Sequence, residues 1–244
     1  MGNDCCTPKT VLRGFTTFDP TRSRYEEVLR AQGRRVAEDW AKETTFSAGS
    51  TFRQTADTDA HDKAIVDHIN TLVGPDDELW ILGDIGFRTS LTHLKNCLRA
   101  LNCKHLHGVI GNHDDWWLED RPALNLFESL EPHDTVEIEG LGTVNLSHYP
   151  YREDLAYSWP DDVAKFNGKA LPFDGRKLLY GHTHQLSPDG ARPEALNVGL
   201  DAWDLMPVSE TQVVEWFRNH DVDSPANGTS KADDSVPSLD MPSF

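Results

Sequence analysis

The chain has 244 residues, 23 Lys plus Arg, 40 Asp plus Glu and 11 His, for a formal net charge of −17. Its 38% apolar content and seven Trp argue for one folded domain with a sizeable core and against a disordered chain. No run approaches the roughly 18 consecutive apolar residues of a membrane span, and the acidic balance argues against non-specific nucleic-acid binding, which needs a basic face. A small phosphorylated substrate stays compatible with that charge, because a bound metal inverts the local field.

The start, Met1-Gly2-Asn3-Asp4, has neither the basic residues nor the apolar stretch of a secretory signal. A cytoplasmic location is expected, with Cys5, Cys6, Cys97 and Cys103 as free thiols. Met1-Gly2 with Cys5-Cys6 lacks the Ser or Thr at position six and the basic cluster of a lipid anchor. Residues 1–58 form an atypical N-terminal segment. In it Tyr25, Val28, Leu29, Gln32, Val36 and Trp40 follow helical spacing, which predicts one amphipathic helix over about 22–42, weakened by Gly33. Thr44 to Thr58 reads as a polar loop.

The main domain is expected over 59–218. Ala64, Ile65, His68, Ile69 and Leu72 share one face of a helix that Asp59 is placed to cap and Gly74-Pro75 to stop. Glu78 to Leu82 reads as a buried strand running into Gly83-Asp84, and a helix follows over about 89–101. Lys104 to Ile110 is a second strand, ending at Gly111-Asn112-His113-Asp114. Further strands are expected near 134–139, 142–147, 176–180 and 211–217. The order at 78–110 suggests a parallel unit, and the later strands suggest antiparallel pairing. Both fit an α/β fold, a mixed sheet or a sandwich with helices outside. Asn219 to Phe244 carries five Asp against one Lys among Pro, Ser and Gly, and reads as a disordered acidic tail.

Several polar residues share one setting: each follows the C-terminal end of an apolar strand. Asp84, Asn112 with His113, His148, and His182 with His184 are all delivered this way. Strand ends converge on one rim of such sheets. Gly83, Gly111 and Gly181 let the backbone turn there and approach a ligand closely. One carboxylate, one amide oxygen and several imidazoles suit a divalent zinc, iron or manganese ion better than calcium.

On the motifs Gly83-Asp84, Gly111-Asn112-His113-Asp114, His148 in Ser-His-Tyr-Pro and Gly181-His182-Thr183-His184, the chain resembles the metallophosphoesterase (calcineurin-like phosphoesterase) superfamily. Asn197-Val198-Gly199-Leu200-Asp201-Ala202-Trp203 looks like the closing segment of its small bacterial and phage-type members. The resemblance covers about residues 60–215. It implies a four-layer α/β/β/α sandwich of two mixed sheets flanked by helices, and a centre of one or two divalent metals (Mn, Fe or Zn). It further implies that Asp84 bridges the metals and that Asn112, His148 and His182 complete one of them. His184 would bind the other. His113 would stand unligated near the leaving-group oxygen as general acid or charge stabiliser, with Asp114 orienting it. The implied activity is hydrolysis of a phosphomonoester or phosphodiester by metal-activated hydroxide. The alternative is a catalytically weakened relative that binds a phosphate-containing ligand or a protein partner.

That alternative draws on a departure from the family pattern. Family members open with a strand ending in Asp-x-His, whose two side chains complete the second metal. Here Asp59-Ala60-His61 matches literally but sits at a helix start. Glu43-Thr44-Thr45 and Asp19-Pro20-Thr21 lack the His, and the strand could also be absent, with Pro8 to Phe15 as what normally follows it. The second metal site is left open on this count. Among other residues, Trp116 and Trp117 are expected to pack more than to stack on a ligand. Arg152, after Tyr149 and Tyr151, could grip a phosphate or simply be solvated. His105 and His107 alternate on one strand face, directed away from the site.

Overall fold

A computed structural model of the protein describes residues 20–41, 43, 57–86, 89–158 and 161–220. Two helices, α1 (Pro20–Gln32) and α2 (Arg34–Ala41), stand where one was expected over about 22–42. Gly33 separates them at φ +83°, a left-handed conformation that only glycine adopts without a Cβ clash. Tyr25, Val28, Ala37 and Ala41 are buried together, with Val36 and Trp40 against them, so the pair builds a small core of its own. Residues 44–56 of the expected polar loop lie outside the described residues.

Helix α3 (Thr58–Leu72) is capped by Asp57, whose carboxylate accepts the Ala60 N–H at 3.0 Å. Asp59, expected at the cap, lies in the first turn instead, where its charge still complements the helix dipole. Strands β1 (Glu78–Leu82) and β2 (His105–Val109) are joined through helix α4 (Leu91–Arg99), with Ser90 as its N-cap. A one-turn helix α5 (Arg121–Leu124) leads to β3 (Ser129–Glu131). The order β1-β2-β3 is parallel throughout.

The second sheet has the order β4 (His133–Ile138), β5 (Gly142–Ser147), β6 (Lys177–Tyr180), β7 (Ala195–Asn197). Among the named strands β4 and β5 pair antiparallel, and β5, β6 and β7 run parallel; an isolated antiparallel bridge joins Asp189 to Leu196 of β7. Residues 148–176 carry a 3₁₀ turn at Arg152–Asp154 and the short helices α6 (Leu155–Ser158) and α7 (Asp162–Phe166). That crossover is long enough to return the chain in the same direction.

The segment expected as a strand over 211–217 is helix α8 (Glu210–His220). Its Val, Trp and Phe favour strands locally, but Val213, Val214, Trp216 and Phe217 are all buried, which only a helical face allows. Asn219 and His220, expected in the tail, belong to this helix; residues 221–244 lie outside the described residues.

Alternation along the strands makes the layers. Leu79 and Ile81 of β1 and Leu106 of β2 pack outward against Ile65 and Ile69 of α3 and Leu94 and Leu98 of α4. Trp80, Leu82 and Val109 point the other way, onto Val144, Leu146, Leu179 and Leu196 of the second sheet and the apolar face of α8. On that sheet's far side Leu178, Tyr180 and Ala195 meet Tyr151 and Leu171 of the crossover. The fold is therefore the expected α/β sandwich: a parallel three-stranded sheet and a mixed four-stranded sheet, flanked by helices. Among the described residues no helix is long and apolar enough to cross a membrane.

Candidate metal centre

The packing of one sheet on the other brings two sets of strand ends together. Asp84 follows β1, and Asn112, His113 and Asp114 follow β2; His148 follows β5, and His182 and His184 follow β6. The join is direct: the His148 ring, carried by the second sheet, donates from Nδ1 to the carbonyl of Leu82 on β1 at 2.8 Å.

Four donor atoms meet here. Asn112 Oδ1 lies 3.0 Å from His148 Nε2 and 2.9 Å from His182 Nδ1, and those two nitrogens are 3.2 Å apart. Asp84 Oδ2 is 3.5 Å from His148 Nε2. Ligand atoms bonded at about 2.1 Å to one ion sit roughly 3.0–3.5 Å apart, a spacing these atoms match.

The protonation pattern makes the same point. A carbonyl only accepts, so His148 Nδ1 carries the hydrogen given to Leu82. His182 Nε2 lies 2.9 Å from the Asp162 carboxylate and carries the hydrogen given there. Burial, with His148 as the next cause, pushes His182 down to about 3, and burial lowers His148 as well. Both rings are then neutral at pH 7, and the nitrogens that face each other are lone pairs. With the Asn112 oxygen, three acceptors crowd together without a hydrogen among them. A cation between them turns that repulsion into bonding, and imidazole with amide and carboxylate oxygen is a donor set for zinc, iron or manganese.

The outer partners are those a metal-binding imidazole uses: a backbone carbonyl for His148 and a buried carboxylate for His182. The His182 ring is also boxed by Tyr149 and Phe166, with ring centroids 4.9 and 5.1 Å away. Asp162 had no local signal in the sequence, since it lies in a crossover 20 residues before its partner. Asp201, which pairs with His184 Nδ1 at 2.7 Å, was visible only as part of a motif.

Strain gathers at the same place. Asp84, His182 and His184 have φ of 53°, 65° and 50°, a left-handed region costly to residues with side chains. The two loops approach so closely that a Cβ on Gly83 would lie 2.4 Å from His148 Nδ1, and one on Gly111 only 2.3 Å from Asp84 N. Only glycine fits at either position.

Asp114 is fully buried, and its carboxylate ties these loops together. It accepts from the backbone N–H of Asp84 (2.9 Å), Ile85 (2.8 Å), Gly86 (3.4 Å) and Gly111 (2.8 Å), and from the Trp117 indole (3.0 Å). This makes Asp114 a positioning residue for the Asp84 and Gly111 loops, where the expected role was to orient His113. His113 itself is exposed at the rim, and its backbone N–H donates to Asp84 Oδ1 at 2.9 Å.

Other residues fall into place around this. Trp117 is a core residue, whereas Trp116 is 42% exposed with its indole N–H on Gly86. Arg152 donates from its guanidinium to the Ala170 carbonyl at 3.2 Å. His107 stacks on Trp80 and meets Ser129, and His105 pairs with Glu128, away from the centre. Asp59-Ala60-His61 lies in the first turns of α3, where His61 Nδ1 bonds Asp62 at 3.0 Å. Asp19, Thr44 and Thr45 lie outside the described residues.

The chain is similar to two phage proteins. It is 33% identical over 169 residues to the Gene 66 protein of Mycobacterium phage D29, covering 62% of this chain and 81% of that one. It is 30% identical over 175 residues to the Gene 66 protein of Mycobacterium phage L5, covering 60% and 76%. The chain belongs to the family of these Gene 66 proteins. No family model matches it. A crystal structure of a protein of unknown function from Aquifex aeolicus is also similar, at 24% identity and a TM-score of 0.46, over 63% of this chain and 83% of that one.

Proposed function

We propose that this chain is a metal-dependent phosphoesterase of the metallophosphoesterase type, hydrolysing a phosphomonoester or phosphodiester. The observation that supports it best is the convergence of Asn112 Oδ1, His148 Nε2 and His182 Nδ1 as three hydrogen-free acceptors beside Asp84. A divalent ion held there supplies a Lewis acid for the phosphoryl oxygens and a water acidic enough to act at neutral pH.

The chain's own groups do the rest. Asp84, Asn112, His148 and His182 would hold the ion, and His184 would bind a second one. Asp162 and the Leu82 carbonyl fix the two ring orientations. Asp114 keeps the Asp84 and Gly111 loops in register. Exposed at the rim, His113 is placed to meet an incoming ester and give a proton to the departing alkoxide. The substrate in this reading is small, because the −17 charge of the chain repels a long nucleic-acid backbone.

The test is hydrolysis of p-nitrophenyl phosphate and bis(p-nitrophenyl) phosphate with added manganese, for the wild type and His113→Ala. The expected result is turnover that falls about 10²–10⁴-fold in the variant. No turnover with either ester and any divalent metal overturns it. A second reading, a weakened relative that binds a phosphate-containing ligand, is favoured by one observation: the literal Asp59-Ala60-His61 match is built into α3, not onto a strand end. Retained metal and phosphate binding without turnover is its signature.

A further inference from the structure

The structure assigns a second metal site, for zinc, to Asp62, His93 and Cys97, on the helical side of the three-stranded sheet. His93 and Cys97 are four residues apart on α4, so their side chains share one face. Asp62 reaches them from α3. His93 Nε2 lies 2.8 Å from Asp62 Oδ2 and 3.5 Å from Cys97 Sγ, and the three ligand atoms all fall within 4.8 Å of one another.

Tetrahedral zinc, with bonds of about 2.0–2.3 Å, holds its ligand atoms roughly 3.3–3.8 Å apart. The sulfur–nitrogen distance already has that value, and the oxygen–nitrogen pair needs to open by about half an ångström. Asp62 has its own support: His61 Nδ1 bonds its other oxygen at 3.0 Å, the kind of contact that orients a ligating carboxylate. All three residues are half-buried, which leaves solvent access for a fourth ligand.

The ligand types select the ion. A thiolate with an imidazole and a carboxylate favours zinc over magnesium, calcium or manganese. Burial first, then the Asp62 and Asp59 carboxylates, pushes the Cys97 thiol up, and a metal bound to the sulfur displaces its proton. For Asp62, burial opposes ionisation, but the bonds from His61 and His93 outweigh it and hold the carboxyl below its usual range. Such a site clasps α3 to α4, the layer that covers β1 and β2.

The site is independent of the phosphoesterase reading and has a spectroscopic readout of its own. The centre at Asn112, His148 and His182 offers only nitrogen and oxygen, so a sulfur-to-cobalt charge-transfer band cannot arise there. Cobalt titration of the full-length wild-type protein is expected to produce that band, and zinc to abolish it by competition. Cys97→Ser is expected to lose it while keeping the wild-type circular dichroism. Alkylation of the wild type, followed by mass spectrometry of the Cys97 peptide, gives a test without a variant: zinc slows it at least tenfold. Absence of the band, its survival in Cys97→Ser, or alkylation of Cys97 unchanged by zinc overturns the proposal.

Discussion

His148 Nε2 and His182 Nδ1 face each other at 3.2 Å, although the opposite nitrogen of each ring is already the donor to another group. The two rings come from different strands of the second sheet, and a loop of the first sheet supplies the Asn112 oxygen between them. The two-sheet architecture thus ends in a cluster of nitrogen and oxygen atoms, which the proposed function reads as the seat of a cation. The proposed chemistry rests on that relationship.

Asp162 is the first place to test it. Its carboxylate holds His182 Nε2–H and so keeps the ring's other lone pair aimed at the centre. Asp162→Ala is expected to weaken manganese binding about 10–100-fold with little change in fold. Titration calorimetry with manganese measures this.

Asp114→Ala should act on stability as well as on binding. It strands the N–H groups of Asp84, Ile85 and Gly111 and the Trp117 indole without their acceptor inside the core. Removing a buried acceptor of this kind costs about 3–5 kcal/mol. Urea denaturation at neutral pH should show that loss. Asp114→Asn, which keeps one oxygen, should fall between the variant and the wild type.

Gly111→Ala tests the close approach of the two loops. The added Cβ would sit 2.3 Å from both the Asp84 amide nitrogen and Asp84 Oδ1, so the ligand loop must move. Manganese binding is expected to be lost. Gly168→Ala is the control, because nothing lies within 4 Å of its Cβ position. Its stability, followed by thermal melting, should stay within about 0.5 kcal/mol of wild type.

Much of the candidate centre was legible because the residues that converge there sit next to strand ends. An apolar run followed by glycine and a polar residue marks both the strand and its exit at Asp84, Asn112 and His182, while His148 follows its strand through Ser147. Their outer partners carry none: Asp162 and Asp201 are lone acidic residues whose role depends on tertiary packing. Strands β3 and β7, at three residues each, are too short to show alternation. Helix α8 was obscured by its own composition, since β-branched and aromatic residues imitate a strand until their common burial is seen. The Asp62, His93 and Cys97 cluster shows half of itself in sequence, the four-residue spacing on α4, and hides the half that comes from α3.

Away from the centre, Arg192 ties the loop before β7 to the crossover. Its guanidinium bonds both oxygens of Asp154 and lies over the Phe173 ring, 4.2 Å from the centroid. A lysine cannot reproduce the two-pronged bond or the stacking. Arg192→Lys should therefore destabilise the protein by about 1–2 kcal/mol in urea denaturation, with manganese binding unchanged.

The most direct measurement is an anomalous difference map from crystals of the full-length protein soaked in manganese. Manganese avoids the sulfur-containing cluster and reports on the strand-end centre alone. A peak within about 2.0–2.4 Å of Asn112 Oδ1, His148 Nε2 and His182 Nδ1 is the expected result. A saturated crystal with no peak between those three atoms, and the two rings still 3.2 Å apart, would contradict the account.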